Sequence, residues 1–183
     1  MASFLLIVSG HPAAGKSTLS TRLARDLQLP LVNRDRLRRY VFGELFELPT
    51  ARDLIPAACD RLVLGILSTI LDAGGGVVLD GNFNTERHMR PIRDYAAENG
   101  TRAVEFCLWG DPEALERRFI ERADPPLTSD LRPYFDQVVR RPRESVLFPP
   151  AIVEHLDTTD PSAIDAAYSR LRAVAEQELH SPL

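Results

Sequence analysis

Apolar and polar positions fall in blocks along the chain. Residues 4–10, FLLIVSG, make a short unbroken apolar run that ends in Gly10, the pattern of a strand buried on both faces. The next block is periodic: in STLSTRLARD, Ser17 to Asp26, Leu19 and Leu23 lie four apart and Leu27 follows, the spacing of one helix face. LPLVNRD reads as a second short strand ending at Asp35, and DRLRRYVF as a helix after it. RDLIPAACDRLVLGILSTILDAGGG reads as a long apolar-rich helix, starting near Asp53 and stopped by Gly74 to Gly76. VVLDGNF is a third buried strand. TERHMRPIRDYAAENG is helical and closed by Gly100, with Pro91 set where it would disturb the middle. RAVEFCLWG is a fourth strand. DPEALERRFIERA starts well, with Asp111 as N-cap and Pro112 at the first helical position. DPPLTSDLRP follows as a loop and YFDQVVRR as a helix ended by Pro142. AIVEHLDTT is a fifth strand, and DPSAIDAAYSRLRAVAEQEL repeats the Asp-Pro start as the last helix.

Strands and helices therefore alternate, which predicts a parallel sheet covered by helices on both faces. No repeat, low-complexity tract or linker divides the 183 residues, so one domain over 1–183 is expected. Hydrophobic content of 44% and charged content of 26% suit a globular chain. The apolar run at the start is too short for a signal peptide's core or a membrane span, so a cytoplasmic location and no membrane partner are expected. A net charge of −4 argues against a general nucleic-acid coat but leaves room for a local basic cleft. Cys59 and Cys107 lack metal-ligand spacing and read as reduced core thiols. His88, His155 and His180 show no metal spacing either.

Composition sharpens one position. Of 22 basic residues, Lys16 is the single lysine and 21 are arginines. It lies in SGHPAAGKST, where Gly10-x-x-x-x-Gly15-Lys16-Ser17 joins the first strand to the first helix. That is where a phosphate-binding loop belongs. By average residue usage the pattern arises by chance in about one chain in a hundred of this length. The alternative, a glycine-rich turn that merely caps a helix, does not account for a lysine in an arginine-rich chain. Backbone amides of Gly10, His11, Pro12, Ala13, Ala14, Gly15, Lys16, Ser17 and Thr18 (Pro12 lending shape alone) would curl around a polyphosphate, aided by the helix N-terminus. Lys16 would reach the β- and γ-phosphates as a point charge, a task that arginine's planar fork performs differently. Ser17 would coordinate Mg²⁺. A switch GTPase is excluded, because its guanine-reading Asn/Thr-Lys-x-Asp motif needs a second lysine.

Asp35 would sit at the ligand-binding edge of the sheet, with Arg38 one helical turn on. A carboxylate there can accept the proton of an attacking hydroxyl, and an arginine can hold the substrate. Asp35 as a helix cap beside solvated Arg36, Arg38 and Arg39 is the competing reading. Asp80, after VVL, suits a carboxylate that helps to hold Mg²⁺, or one that hydrogen-bonds the Asp-Gly turn.

The loop at Gly10 to Ser17, with Asp35-x-x-Arg38, resembles the P-loop kinase group of polynucleotide 5′-hydroxyl kinases, zeta-toxin-like sugar-nucleotide kinases and chloramphenicol phosphotransferases. VVLDGNF is similar to that group's third strand, and LERRFIER to its lid helix, so the likeness covers about residues 4–124. It implies a three-layer P-loop NTPase of the nucleoside-monophosphate-kinase-like type, with a five-stranded parallel sheet and a short helical lid over about 117–130. It also implies Asp35 as general base, Arg38 on the substrate, and Arg118 and Arg122 as lid arginines over the transferred phosphate. Arg117, adjacent to Arg118, competes for the same role, and a surface helix with exposed ion pairs is the plainer alternative. The expected function is transfer of the γ-phosphoryl of ATP, with Mg²⁺, to an alcohol hydroxyl. The net charge favours a small-molecule acceptor of nucleoside, sugar or antibiotic type. A nucleic acid 5′ end remains the alternative acceptor, and a non-catalytic nucleotide-binding regulatory module the rival from another class.

Overall fold

A computed structural model describes residues 3–43, 54–83, 86–122, 139 and 152–181. Five strands form one parallel sheet: β1 (Phe4–Gly10), β2 (Leu31–Asn33), β3 (Gly76–Asp80), β4 (Arg102–Trp109) and β5 (Ile152–Asp157), in the order β2-β3-β1-β4-β5. The first strand is the centre of the sheet. It pairs with β3 on one side, Val8 opposite Asp80, and with β4 on the other, Gly10 opposite Leu108. The chain builds outward to one side through β2 and β3, then crosses β1 and builds to the other. The crevice at that reversal, outside the carboxyl ends of β1 and β3, is where such sheets bind ligands.

Both faces of β1 are buried, which is why its sequence is apolar without alternation. Phe4, Leu6 and Val8 pack with Leu19 and Leu23 of α1 (Lys16–Asp26) and Leu171 of α6 (Ala163–His180). Leu5 and Ile7 pack on the opposite face with Val63 and Leu67 of α3 (Ile55–Asp72) and with Met89 and Ile92 of α4 (Glu86–Glu98). Truncating one of these fully buried leucines to alanine would cost about 2–5 kcal/mol. Between the layers, α2 (Arg34–Phe42) follows β2 without a break, and α5 (Pro112–Arg122) follows β4. Asp111 caps α5 as its sequence predicts, with Oδ1 accepting from the amides of Glu113 and Ala114 at 3.0 and 3.1 Å.

The structure departs from the sequence reading in places, and β3 ends at Asp80 rather than running on to Phe83. β2 stops at Asn33, not at Asp35, because Asn33 is the N-cap of α2: its Oδ1 accepts from the Arg36 amide at 2.8 Å. The Asp-Pro start at Asp160 does not open the last helix. Asp160 instead closes a turn by accepting from the Ser162 amide at 2.8 Å, and α6 begins at Ala163. Pro91 lies inside α4 without ending it. The sequence-predicted loop from Asp124 and the helix ended by Pro142 lie outside the described residues, apart from Val139, which is buried in the β1–α1–α6 core. Cys59 and Cys107 are buried thiols with no disulfide.

The last helix is fastened to the first. Tyr168 donates to Asp26 at 2.6 Å, the Arg22 guanidinium lies 3.9 Å from the centre of the Tyr168 ring, and Arg22 also pairs with Asp165. At the upper end of this contact Ile164 of α6 meets Gly15, where a Cβ would fall 2.4 Å from the Ile164 Cδ1.

Candidate functional site

The loop between β1 and α1 is shaped by backbone constraints. Gly10 has φ +120°, and a Cβ there would lie 1.8 Å from the carbonyl oxygen of Leu108, so β4 passes too close for any side chain. The His11 amide then donates to that same carbonyl at 2.9 Å and turns the chain over the edge of the sheet. Ala13 is left-handed at φ 59°, a conformation that costs a non-glycine residue about 1–2 kcal/mol. Gly15, at φ 86°, is the N-cap of α1 and brings no side-chain cap. The start of α1 is thereby left to meet an anion, with the helix dipole in its favour.

Lys16 is buried, and its Nζ donates to the His11 carbonyl at 2.6 Å and to Asn82 Oδ1 at 3.3 Å. The ammonium is thus held across the mouth of the loop by one contact from the loop and one from the turn after β3. Ser17, one residue on, stands near enough to Asp80 for its hydroxyl to favour the ionised carboxylate. Asp80 is 1% exposed and also accepts from Ser20 Oγ at 3.1 Å and Asn33 Nδ2 at 2.5 Å. Burial pushes its pKa above the usual carboxylate range. The Ser17 hydroxyl, the Lys16 charge and the Ser20 bond pull it back in part, while the charge of Asp35 pushes it up further.

These groups fit a hard divalent cation. A buried carboxylate stands beside a hydroxyl at the start of a helix, both are oxygen donors, and both face a phosphate-binding loop. Among the described residues no three His, Cys, Asp or Glu side chains converge to hold a metal by themselves. The remaining ligands of such an ion would come from phosphate and water, the usual arrangement for Mg²⁺.

Asp35 departs from its expected place. It is exposed in the first turn of α2 rather than at the end of β2, and its charge reaches Asp80. It is not the cap of α2 either, since Asn33 holds that position. Arg38 is half-buried one turn further along α2. Arg118 lies on α5 and donates through Nη2 to the Thr159 carbonyl at 2.5 Å, which places it in the turn after β5, beside Asp160. Arg122 ends α5; its side chain, and the rest of the expected lid to about 130, lie outside the described residues.

Sequence reasoning missed three components. Asn33 both caps α2 and donates to Asp80, its partner in the β2–β3 register, so it couples the acceptor-side helix to the carboxylate. Asn82 receives Lys16; the signal available was a polar residue two positions past the strand in Asp-Gly-Asn. The third is a cluster of the buried Arg34 with the half-buried Asp60 and His88. Arg34 donates to Asp60 Oδ1 through Nε at 2.8 Å and Nη2 at 2.7 Å, and His88 Nε2 stands 3.5 Å from Asp60 Oδ2. Burial holds the His88 imidazole below its ordinary pKa against the pull of Asp60, with Arg34 and Arg87 lowering it further. No local pattern marks these residues, because they come from α2, α3 and α4.

Several solved structures share this fold. A protein of Chloroflexus aurantiacus, assigned provisionally as a kinase, is 23% identical with a TM-score of 0.81, the match covering 97% of this chain and 98% of that one. A shikimate kinase from Bacteroides thetaiotaomicron is 22% identical with a TM-score of 0.60, covering 94% and 98%. The Mycobacterium tuberculosis APS kinase, solved in complex with AMPPNP and APS, is 17% identical with a TM-score of 0.64, also covering 94% and 98%. These likenesses establish the α/β fold of P-loop kinases. No curated protein matches the chain. A family profile described as an AAA domain matches residues 5–133, which spans the loop, both candidate carboxylates and α5, and the chain belongs to that AAA-domain family.

Proposed function

We propose that the chain is a kinase that transfers the γ-phosphoryl group of ATP, with Mg²⁺, to the hydroxyl of a small-molecule alcohol. The observation that carries this reading is the meeting of Lys16, Ser17 and Asp80 at the carboxyl ends of β1 and β3, with Asp35 on the adjoining helix near enough for its charge to act on Asp80. The named activities of the shikimate and APS kinases that share the fold support it.

In this reading the amides of residues 10–18 take the triphosphate. Lys16 leaves the His11 carbonyl for the β- and γ-phosphates. Ser17 and Asp80 would hold Mg²⁺, which would supply charge neutralisation for the phosphates. Arg38 orients the acceptor, and Asp35 receives its proton. The acceptor oxygen forms a bond to the γ-phosphorus as the bond from that phosphorus to the β,γ-bridging oxygen breaks, and ADP leaves. Arg118 and Arg122 are the candidates for compensating charge on the phosphoryl in transit; Arg118 would exchange its bond to the Thr159 carbonyl for that contact.

Release of ADP in the presence of Mg²⁺ and a panel of alcohols tests the reading. The expected result is ADP formation stimulated by at least one alcohol, with matching phosphorylated product. Slow hydrolysis that no alcohol changes would support a regulatory nucleotide-binding module instead. Efficient phosphorylation of a 5′-hydroxyl oligonucleotide, with affinity falling steeply with salt, would move the acceptor to nucleic acid.

A further inference from the structure

Asp35 has no side-chain anchor of its own. It is exposed and makes no hydrogen bond or ion pair among the described residues, so its place is set by the backbone at the start of α2. That backbone is held at the two residues before it. Asn33 caps the helix and donates to Asp80. Arg34, the first residue of α2, is held at three points. Asp60 of α3 accepts from its Nε at 2.8 Å and from its Nη2 at 2.7 Å. The Cys59 thiol, next to Asp60, donates to the Arg34 carbonyl at 3.6 Å. The third point is Gly81, after β3. A Cβ there would lie 3.1 Å from the Arg34 Cβ and 2.8 Å from the Phe83 ring, so the missing side chain lets the stem of Arg34 pass close to the sheet.

The grip supplies direction more than stability. The Arg34 and Asp60 side chains are 6% and 15% exposed, and a buried ion pair gains little over apolar residues of the same volume. Two N–H groups converging on Oδ1 fix both the distance and the orientation of the guanidinium. Oδ2 is left to His88, whose Nε2 stands 3.5 Å away on α4. Arg61, next along α3, is exposed and makes no ion pair among the described residues, which leaves Arg34 as the guanidinium that Asp60 holds. Asp60 therefore joins α2 and α4 to α3 beside the residue that the kinase reading makes the base.

Resting on the kinase reading above, we infer that Asp60 is a positioning residue for the transfer: through Arg34 it fixes the first turn of α2, and with it the point from which Asp35 receives the proton of the acceptor hydroxyl. In this role Asp60 touches neither nucleotide nor acceptor. Loss of the grip leaves Asp35 in the chain but lets it stand in more than one place, and a displacement of about 1 Å can cost on the order of a hundredfold in rate. The loss falls on kcat, because proton transfer is a transition-state event, while ATP on the loop after β1 is bound as before.

The test uses the full chain with Mg²⁺ and ATP, with water alone and with shikimate, gluconate, glycerol and adenosine as acceptor probes. Arg34→Met/Asp60→Leu removes both charges and keeps the volume, so it should melt within a few degrees of wild type or above it. Its kcat should nevertheless fall by about 10–100-fold, with KM for ATP unchanged. Made in an Asp35→Asn background, the same pair of substitutions should lower kcat by less than about threefold further, because its effect runs through Asp35. Arg34→Lys keeps the charge without the two-pronged grip. It should show a smaller loss with the same dependence on Asp35, and serves if the double variant does not fold. Wild-type kcat in a folded variant, or a loss that is equal with and without Asp35, would overturn the positioning role. ADP release by the wild-type chain that none of the four alcohols raises would instead overturn the kinase reading on which it rests.

Discussion

The two sides of the candidate site are made of different material. On the proposed nucleotide side, the loop after β1 is built from backbone: Gly10 clears the Leu108 carbonyl and Gly15 clears Ile164. On the proposed acceptor side, between α2, α3 and α4, the structure is built from side chains: Arg34 on Asp60, His88 beside them, and Phe83 over Gly81. A backbone site depends on the absence of side chains at a few positions and tolerates variety at the rest. A side-chain site reverses this, since each named group has a partner that is stranded when the group is removed.

The largest effect that would sharpen this contrast comes from Asp35. Asp35→Asn keeps size and removes the proton acceptor, so turnover with the true acceptor should fall by about 10²–10⁴-fold while ATP affinity holds. Turnover within a few-fold of wild type would remove Asp35 from the mechanism. Lys16 comes next, as the one side chain on which the backbone-built loop relies. Lys16→Ala and Lys16→Arg should each lower turnover by about 10²–10³-fold with the fold intact by circular dichroism. Near-normal turnover in Lys16→Arg would mean that any cation suffices and would blur the distinction between the two sides.

Asp80 stands where the sides meet, and stability and activity should move in opposite directions there. Its folded pKa is raised, chiefly by burial, so at neutral pH the ionised form is disfavoured in the fold relative to the unfolded chain. The stability it contributes is fully present below the ordinary carboxylate value of 3.8 and is lost as pH rises through the raised one. Asp80→Asn should therefore raise the thermal midpoint at pH 7 without Mg²⁺, and lower activity by about 10–100-fold. A lowered midpoint would show that the Ser17 hydroxyl and the bonds from Ser20 and Asn33 outweigh the buried charge.

The smallest effect concerns His88. Its folded pKa lies below 6.5, so its contribution to stability is present above that value and is lost as pH falls through the folded one. Thermal melts between pH 7.5 and 5 should fall less steeply for His88→Asn than for wild type. Parallel slopes would mean that the imidazole is as free to charge in the fold as in the unfolded chain, and that the acceptor side is more open than its packing implies.

The same division explains what could be read from the sequence. β1, the loop and α1 are contiguous, and their signals are local: an unbroken apolar run, two glycines at fixed spacing, a lysine, then leucines four apart. The parallel sheet was legible because strand and helix patterns alternate over the whole chain. Asp35 was placed one element early, because Asn33 is the stronger cap and ends the strand sooner. Arg34, Asp60 and His88 were not legible, because the spacing that unites them exists only after α2, α3 and α4 have packed. Asn82 falls between these cases: its strand was read, but two or more residues too long, since β3 ends at Asp80, and its bond to Lys16 depends on the β1–β3 register.

The contact between Ile164 and Gly15 has a consequence for how the protein is made. Chains emerge from the ribosome N-terminus first, so the phosphate loop is exposed long before α6 exists. β1 waits for both of its neighbours, because Phe4 pairs with Gly76 and Arg102. α1 then waits for Asp165 and Tyr168 to clamp Arg22 and Asp26. A nascent chain that has not yet extended past Tyr168 carries the complete nucleotide motif without the helix that backs it. The loop is therefore made well before the helix that backs it, and its packing is complete only once α6 has been added.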